Sequence, residues 1–203
     1  MTYLSLAVSI VALLISVWTF WLSRVKKGTI KMTRPTVIFF GPDGAGKEHK
    51  KVFVRTLLYS TADRGIYIQN MYIRLQRGES HQNFNVWVYD NNGLVRGSGL
   101  FVDKGGIACN HHFLLPRDGS HYEFVPGEYL LEVFVEAVEK DPIKIFEQKL
   151  SVSDKQEEAM SLKKVGIYYD WAPNSQSYCA HVDTEPKPQK ELSDFIEKLT
   201  KNQ

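Results

Sequence analysis

The chain has 203 residues, room for one modest domain with additions. Its 25 Lys+Arg nearly balance 23 Asp+Glu, which argues against a dedicated nucleic-acid binder. Two cysteines, Cys109 and Cys179, exclude a disulfide-dense scaffold and a four-cysteine zinc site. The balance conceals an asymmetry. Arg24, Lys26, Lys27, Lys31 and Arg34 all precede the first acidic residue, Asp43, and residues 35–203 carry net −3.

From Tyr3 to Leu22, twenty residues run without a charge, Gly or Pro. As a helix they span roughly 30 Å, the thickness of a bilayer's hydrocarbon core. Eleven of them are Leu, Ile, Val or Phe, contributing on the order of −3 to −7 kcal/mol to insertion. Ser5, Ser9, Ser16 and Thr19 offset part of this, but their hydroxyls can bond to carbonyls four residues earlier. Trp18 and Trp21 suit an interfacial belt. A cleaved signal peptide needs a basic segment before the run and small residues after it. Here only Met1-Thr2 precedes, and Trp-Phe-Trp-Leu closes the run. Residues 1–23 are therefore expected to be a retained transmembrane signal-anchor in the cell membrane.

Residues 24–35 form a basic juxtamembrane linker. Arg24, Lys26 and Lys27 follow the helix, so the positive-inside rule puts the N-terminus out and the bulk of the chain in the cytoplasm. The same cations would face anionic headgroups, each worth roughly 1 kcal/mol. Ser5, Ser9, Ala12 and Ser16 make a small-residue stripe through which helices can associate, giving a homo-oligomer.

After Pro35 short apolar runs alternate with turn chemistry. Strands are expected at 36–40, 52–59, 66–76, 83–90, 94–102, 107–115, 129–139 and 143–152. Between them lie Asp63-Arg64-Gly65, Asn91-Asn92-Gly93, Lys104-Gly105-Gly106 and Asp141-Pro142, residues that supply the φ values of tight turns. The pattern predicts an all-β fold, a sandwich over 36–153. Phe84, Val86 and Val88 should share one strand face, with Trp87 and Tyr89 on the other. Pro126-Gly127-Glu128-Tyr129, a long alternating strand, a turn and Leu150-Ser151-Val152 resemble the closing hairpin of immunoglobulin/fibronectin-like domains. That resemblance implies the architecture and no activity.

Gly41-Pro-Asp-Gly-Ala-Gly46-Lys47 after an apolar strand resembles the Walker A loop of P-loop kinases. There, backbone N–H groups cradle phosphates, a lysine reaches the β/γ oxygens, and a following Ser or Thr hydroxyl binds Mg²⁺. Here Glu48 stands in that last place, and the crossover helices of a P-loop enzyme are not seen. The segment is read as a hairpin turn.

Cys109, His111 and His112 form a small cluster in which strand geometry puts Cys109 and His111 on one face and His112 on the other. No spacing specifies further ligands, so they read as ordinary strand residues. Tyr168, Tyr169 and Trp171 are expected to dock a tail, residues 154–203, onto the core. Within it Ser153 and Gln156 form a capping box opening a helix over about 154–164. A second helix, about 189–200, carries Leu192, Phe195, Ile196 and Leu199 at i, i+3, i+4 and i+7, a stripe that docks on this domain or on a partner.

The expected function is a single-pass membrane protein presenting a cytoplasmic β-sandwich as a non-catalytic interaction module. Its partners are then the lipid bilayer and a protein, with no nucleic acid, cofactor, metal or catalytic residue. The alternatives are a membrane-tethered nucleotide-binding protein using Gly41, Gly46 and Lys47, and a membrane effector that oligomerises through its helix.

Overall fold

The computed structural model describes residues 2–25, 28–43, 50–90, 94–97, 99–118, 120–163 and 165–182. It is mostly strand, in two antiparallel sheets, with an apolar helix at the N-terminus.

Helix α1, Thr2–Phe20, continues into a π-helical turn, Trp21–Val25. Tyr3–Val25, 23 residues, is long and apolar enough to cross a membrane, and none of it is buried. The hydroxyls behave as their spacing predicts. Ser9, Ser16 and Thr19 donate to the carbonyls of Ser5, Ala12 and Ile15 at 2.8–2.9 Å, so their polarity is satisfied within the helix.

The strands are β1 Ile30–Met32, β2 Val37–Pro42, β3 Lys50–Ser60, β4 Ile66–Arg77, β5 Ser80–Phe84, β6 Val86–Asp90 and β7 Leu94–Arg96. They continue as β8 Leu100–Val102, β9 Ile107–Leu114, β10 Gly127–Ala137, β11 Ile143–Val152, β12 Ile167–Ala172 and β13 Ser177–Val182. Helix α2, Asp154–Lys163, separates β11 from β12. The larger sheet runs β13-β12-β2-β3-β9-β6-β7, with β1 on the end of β3. The smaller runs β11-β10-β4-β5, with β8 beside the start of β4.

One hydrophobic cluster joins the sheets. Ile38, Phe40, Val52 and Val54 of the larger pack with Ile73, Leu75, Leu131 and Val133 of the smaller. Phe40 sits at its centre, stacked on Phe124 at 4.9 Å and meeting Tyr169 and Tyr129 edge-on at 5.2 and 6.0 Å. The Tyr169 hydroxyl donates to the Ser151 carbonyl at 2.9 Å, tying β12 of one sheet to β11 of the other. Tyr169 thus docks the segment after α2 onto the core, as its sequence suggested.

The structure departs from the sequence expectation at four places. The strand expected over 83–90 is two strands in different sheets: β5 pairs with β4, and β6 with β9. Crossing at Asn85 resets the alternation, so Phe84 and Trp87 both enter the core although an unbroken strand would oppose them. The strand expected over 94–102 also divides, with β7 on β6 and β8 on β4. Gly97 and Gly99, which lie between them, take positive φ values of 143° and 97° that favour glycine.

The linker expected over 24–35 contains β1, whose Ile30 is buried opposite Ser60. The tail contains β12 and β13, so the β-domain extends past the expected 36–153 on both sides. Helix α2 matches its expected bounds, and the Ser153 N–H donates to the Gln156 side chain at 2.9 Å, one arm of the capping box. The second helix, with Leu192, Phe195, Ile196 and Leu199, lies outside the described residues.

Candidate functional site

At the membrane anchor, Trp18 and Trp21 are exposed with ring centroids 6.0 Å apart, and Arg24 is exposed in the last turn. Lys26 and Lys27 lie outside the described residues.

Gly41 is not a loop residue. It belongs to β2, opposite Lys51 of β3, and β2 and β3 form an antiparallel hairpin. A phosphate loop leads from its strand into a helix; here residues 50–60 are strand. The glycine has a packing reason instead. A Cβ there would stand 2.7 Å from the Gly166 Cα and 2.5 Å from the Phe39 ring, so only glycine lets the start of β12 approach β2 this closely. Gly46 and Lys47 lie outside the described residues.

Along β9, Cys109 and His111 are buried on one face, and His112 lies on the other beside Phe53, with rings 4.8 Å apart. His111 Nδ1 accepts a hydrogen bond from Trp87 Nε1 at 3.0 Å, across the β6–β9 pairing. The accepting role fixes the neutral ring's proton on Nε2, and Nε2 is buried without a hydrogen-bond partner. Burial pushes the imidazole down to about 4, with a smaller repulsive contribution from His112. His111 is therefore a neutral core histidine at physiological pH. Among the described residues no three His, Cys, Asp or Glu side chains are grouped to hold a metal ion.

Two arrangements escaped the sequence reading. On the outer face of the smaller sheet Tyr72 stacks on Phe134 at 5.0 Å, and the Arg74 guanidinium lies over the Phe134 ring at 4.9 Å. Beside them Lys144 bridges Glu132 at 2.9 Å and Glu147 at 2.7 Å. Those contacts hold the Lys144 ammonium above its usual range, the Glu147 hydrogen bond contributing most. Their signal was period-2 placement on neighbouring strands: Tyr72 and Arg74 on β4, Glu132 and Phe134 on β10.

The second arrangement fixes the edge hairpin β12–β13. The Arg34 guanidinium sits 3.8 Å from the centroid of the Trp171 ring, and Trp171 meets Tyr178 edge-on at 5.2 Å. The Tyr178 hydroxyl donates to the Pro35 carbonyl at 2.6 Å, and burial pushes that phenol up to about 12. One basic residue of the expected juxtamembrane linker, Arg34, is thus engaged in packing.

No protein-family model matches the chain. No curated protein matches it. Among solved structures, a family 123 glycoside hydrolase from Clostridium perfringens, described for its hydrolysis of glycolipid glycans, is similar over 63% of this chain. The identity is 11% and the TM-score 0.34, and the match covers 27% of that protein's chain.

Proposed function

We propose that the chain is a single-pass membrane protein, retained by its N-terminal signal-anchor with the N-terminus outside, whose cytoplasmic β-domain is a non-catalytic protein-interaction module. One observation carries the reading: a 23-residue helical span, Tyr3–Val25, long and apolar enough to cross a membrane and wholly outside the core, with Arg24 in its last turn and Lys26 and Lys27 directly after it in the sequence. In water, such a surface far exceeds what a soluble domain exposes; in a bilayer it is the surface required.

The interaction half draws support from the outer face of the smaller sheet. Tyr72, Arg74 and Phe134 are partly exposed and touch one another, and Tyr, Phe and Arg are the side chains enriched at protein interfaces. The likeness to immunoglobulin/fibronectin-like sandwiches is part of the same reading. It draws support from the β10–β11 hairpin and from the Tyr129 hydroxyl, which donates to the Val125 carbonyl four residues upstream at 2.6 Å, the bonding of a tyrosine corner.

The test is affinity capture of the detergent-solubilised full chain, with quantitative mass spectrometry of what copurifies. A protein chain retained by the wild type and lost from an Arg74→Ser/Phe134→Ser variant supports the reading. Equal recovery of every copurifying chain by both proteins overturns it.

A further inference from the structure

Outside the helix, five large apolar side chains are exposed among the described residues. Four of them, Tyr67, Phe101, Val138 and Ile143, gather at one end of the β-domain. Topology defines that end. Strand β3 finishes where β4 and β9 begin, and β10 finishes where β11 begins, so the turns 61–65, 103–106 and 138–142 all lie there. Tyr67 and Phe101 face each other across the β4–β8 pairing with rings 4.8 Å apart, and the Val138 N–H donates to the Tyr67 carbonyl at 3.2 Å.

The anchor arrives at the same end. Gly28 lines one cavity of about 260 Å³ with Arg64, Gly65, Tyr67, Val138 and Lys140. The chain is pinned there: the Thr29 N–H donates to Thr61 Oγ1 at 2.9 Å, and the Thr61 N–H to the Thr29 carbonyl at 3.0 Å. Two residues separate Gly28 from Val25, the last residue of the helical span. Three Cα–Cα steps cover at most about 11 Å, and the interfacial layer of a leaflet is itself roughly 5–7 Å deep. An exposed aromatic pair and two aliphatic side chains are thus tethered within reach of the headgroups.

We propose that this end of the β-domain beds on the bilayer that holds its anchor, with Tyr67, Phe101, Val138 and Ile143 in the interfacial layer. The proposal rests on reading the helix as a membrane anchor. The driving force is apolar. Four carboxylates, Asp63, Asp103, Glu139 and Asp141, sit among three cations, Arg64, Lys104 and Lys140, and Lys104 is paired with Asp63 at 2.7 Å. The end therefore needs no anionic lipid. Tyrosine at the headgroup level is the placement that interfacial aromatics favour. Docking here fixes the tilt of the domain and turns its opposite end, with the end of β2 and the start of β3, away from the membrane.

The test uses the full chain in vesicles of phosphatidylcholine alone, with Cys179→Ser and nitroxide labels at Val138→Cys, Ile143→Cys, Leu14→Cys and Glu79→Cys in separate proteins. Glu79 is exposed in the β4–β5 turn at the far end. The ratio of oxygen to water-soluble nickel-complex collisions should be severalfold higher at 138 and 143 than at 79, and highest at 14. Adding Tyr67→Ser/Phe101→Ser to the Val138 label should bring its ratio down to that at 79. Ratios at 138 and 143 equal to that at 79, with 14 still in the hydrocarbon, overturn the docking and leave the anchor standing. A water-like ratio at 14 overturns the anchor reading as well. Spin–spin broadening between copies at 138 shows a second chain covering this end, and also overturns the proposal.

Discussion

Acidification should weaken this fold through His111, by an amount that follows from its surroundings. Folded, the imidazole is held neutral by burial, at about 4; unfolded, it titrates near 6.5. Between those values the unfolded chain binds the proton and the folded chain does not, so stability falls as pH falls. The contribution is fully present above about pH 6.5 and drains away down to about pH 4. Lowering pH from 7 to 4 should cost about 3 kcal/mol from this one group. The reference is His111→Gln, whose carbonyl can still accept the Trp87 Nε1 hydrogen bond but does not titrate. Urea unfolding of the full chain in detergent, followed by tryptophan fluorescence, gives both stability–pH curves, and carboxylates common to both proteins cancel in the difference. The wild type should lose about 3 kcal/mol more than the variant across this interval. Parallel curves, within about 0.5 kcal/mol, would mean that His111 ionises freely in the folded state and that its burial between Trp87 and Phe113 is misplaced.

Gly41→Ala should destabilise the fold by about 1–3 kcal/mol, because the new methyl meets the Gly166 backbone; denaturant midpoints measure it, and an unchanged midpoint would remove the packing account of this glycine. Tyr178→Phe should cost about 1 kcal/mol through the lost hydrogen bond to Pro35, and limited proteolysis should then cut the β12–β13 hairpin sooner. Lys47→Ala should change stability by less than about 0.5 kcal/mol, and ATP or GTP with Mg²⁺ should leave the melting temperature of the full chain where it was. A phosphate loop would instead gain roughly 2.7 kcal/mol at 100 times the dissociation constant, and Lys47→Ala would abolish that gain.

Legibility in the sequence followed the reach of each signal. The β10–β11 hairpin and α2 were readable because their determinants are local: Leu131, Val133 and Val135 alternate on one strand, and Ser153 with Gln156 caps one helix. The crossing at Asn85 was not, since local alternation carries no mark of which sheet a strand joins. Strand β13 escaped because it is a sheet edge whose side chains are mostly exposed on both faces, leaving no apolar period to detect. Strand β1 is three residues long, below the length at which alternation means anything.

The same limit applies to the candidate sites. Parity alone put Cys109 and His111 on one face, but the Trp87 N–H that engages His111 comes from another strand. Arg34 read as one more cation of the basic linker until the fold laid Trp171 beneath it. Gly41 read as the first residue of a turn because sequence does not reveal the backbone of Gly166 against it.

The membrane topology is the claim on which the rest depends, and a pair of fusions after Gln203 tests it most directly. One carries a reporter that works only in the cytoplasm, the other a reporter that works only outside it. The cations that follow the helix predict activity from the cytoplasmic reporter alone. Activity from the external reporter alone would place the β-domain on the other side of the membrane and contradict the account.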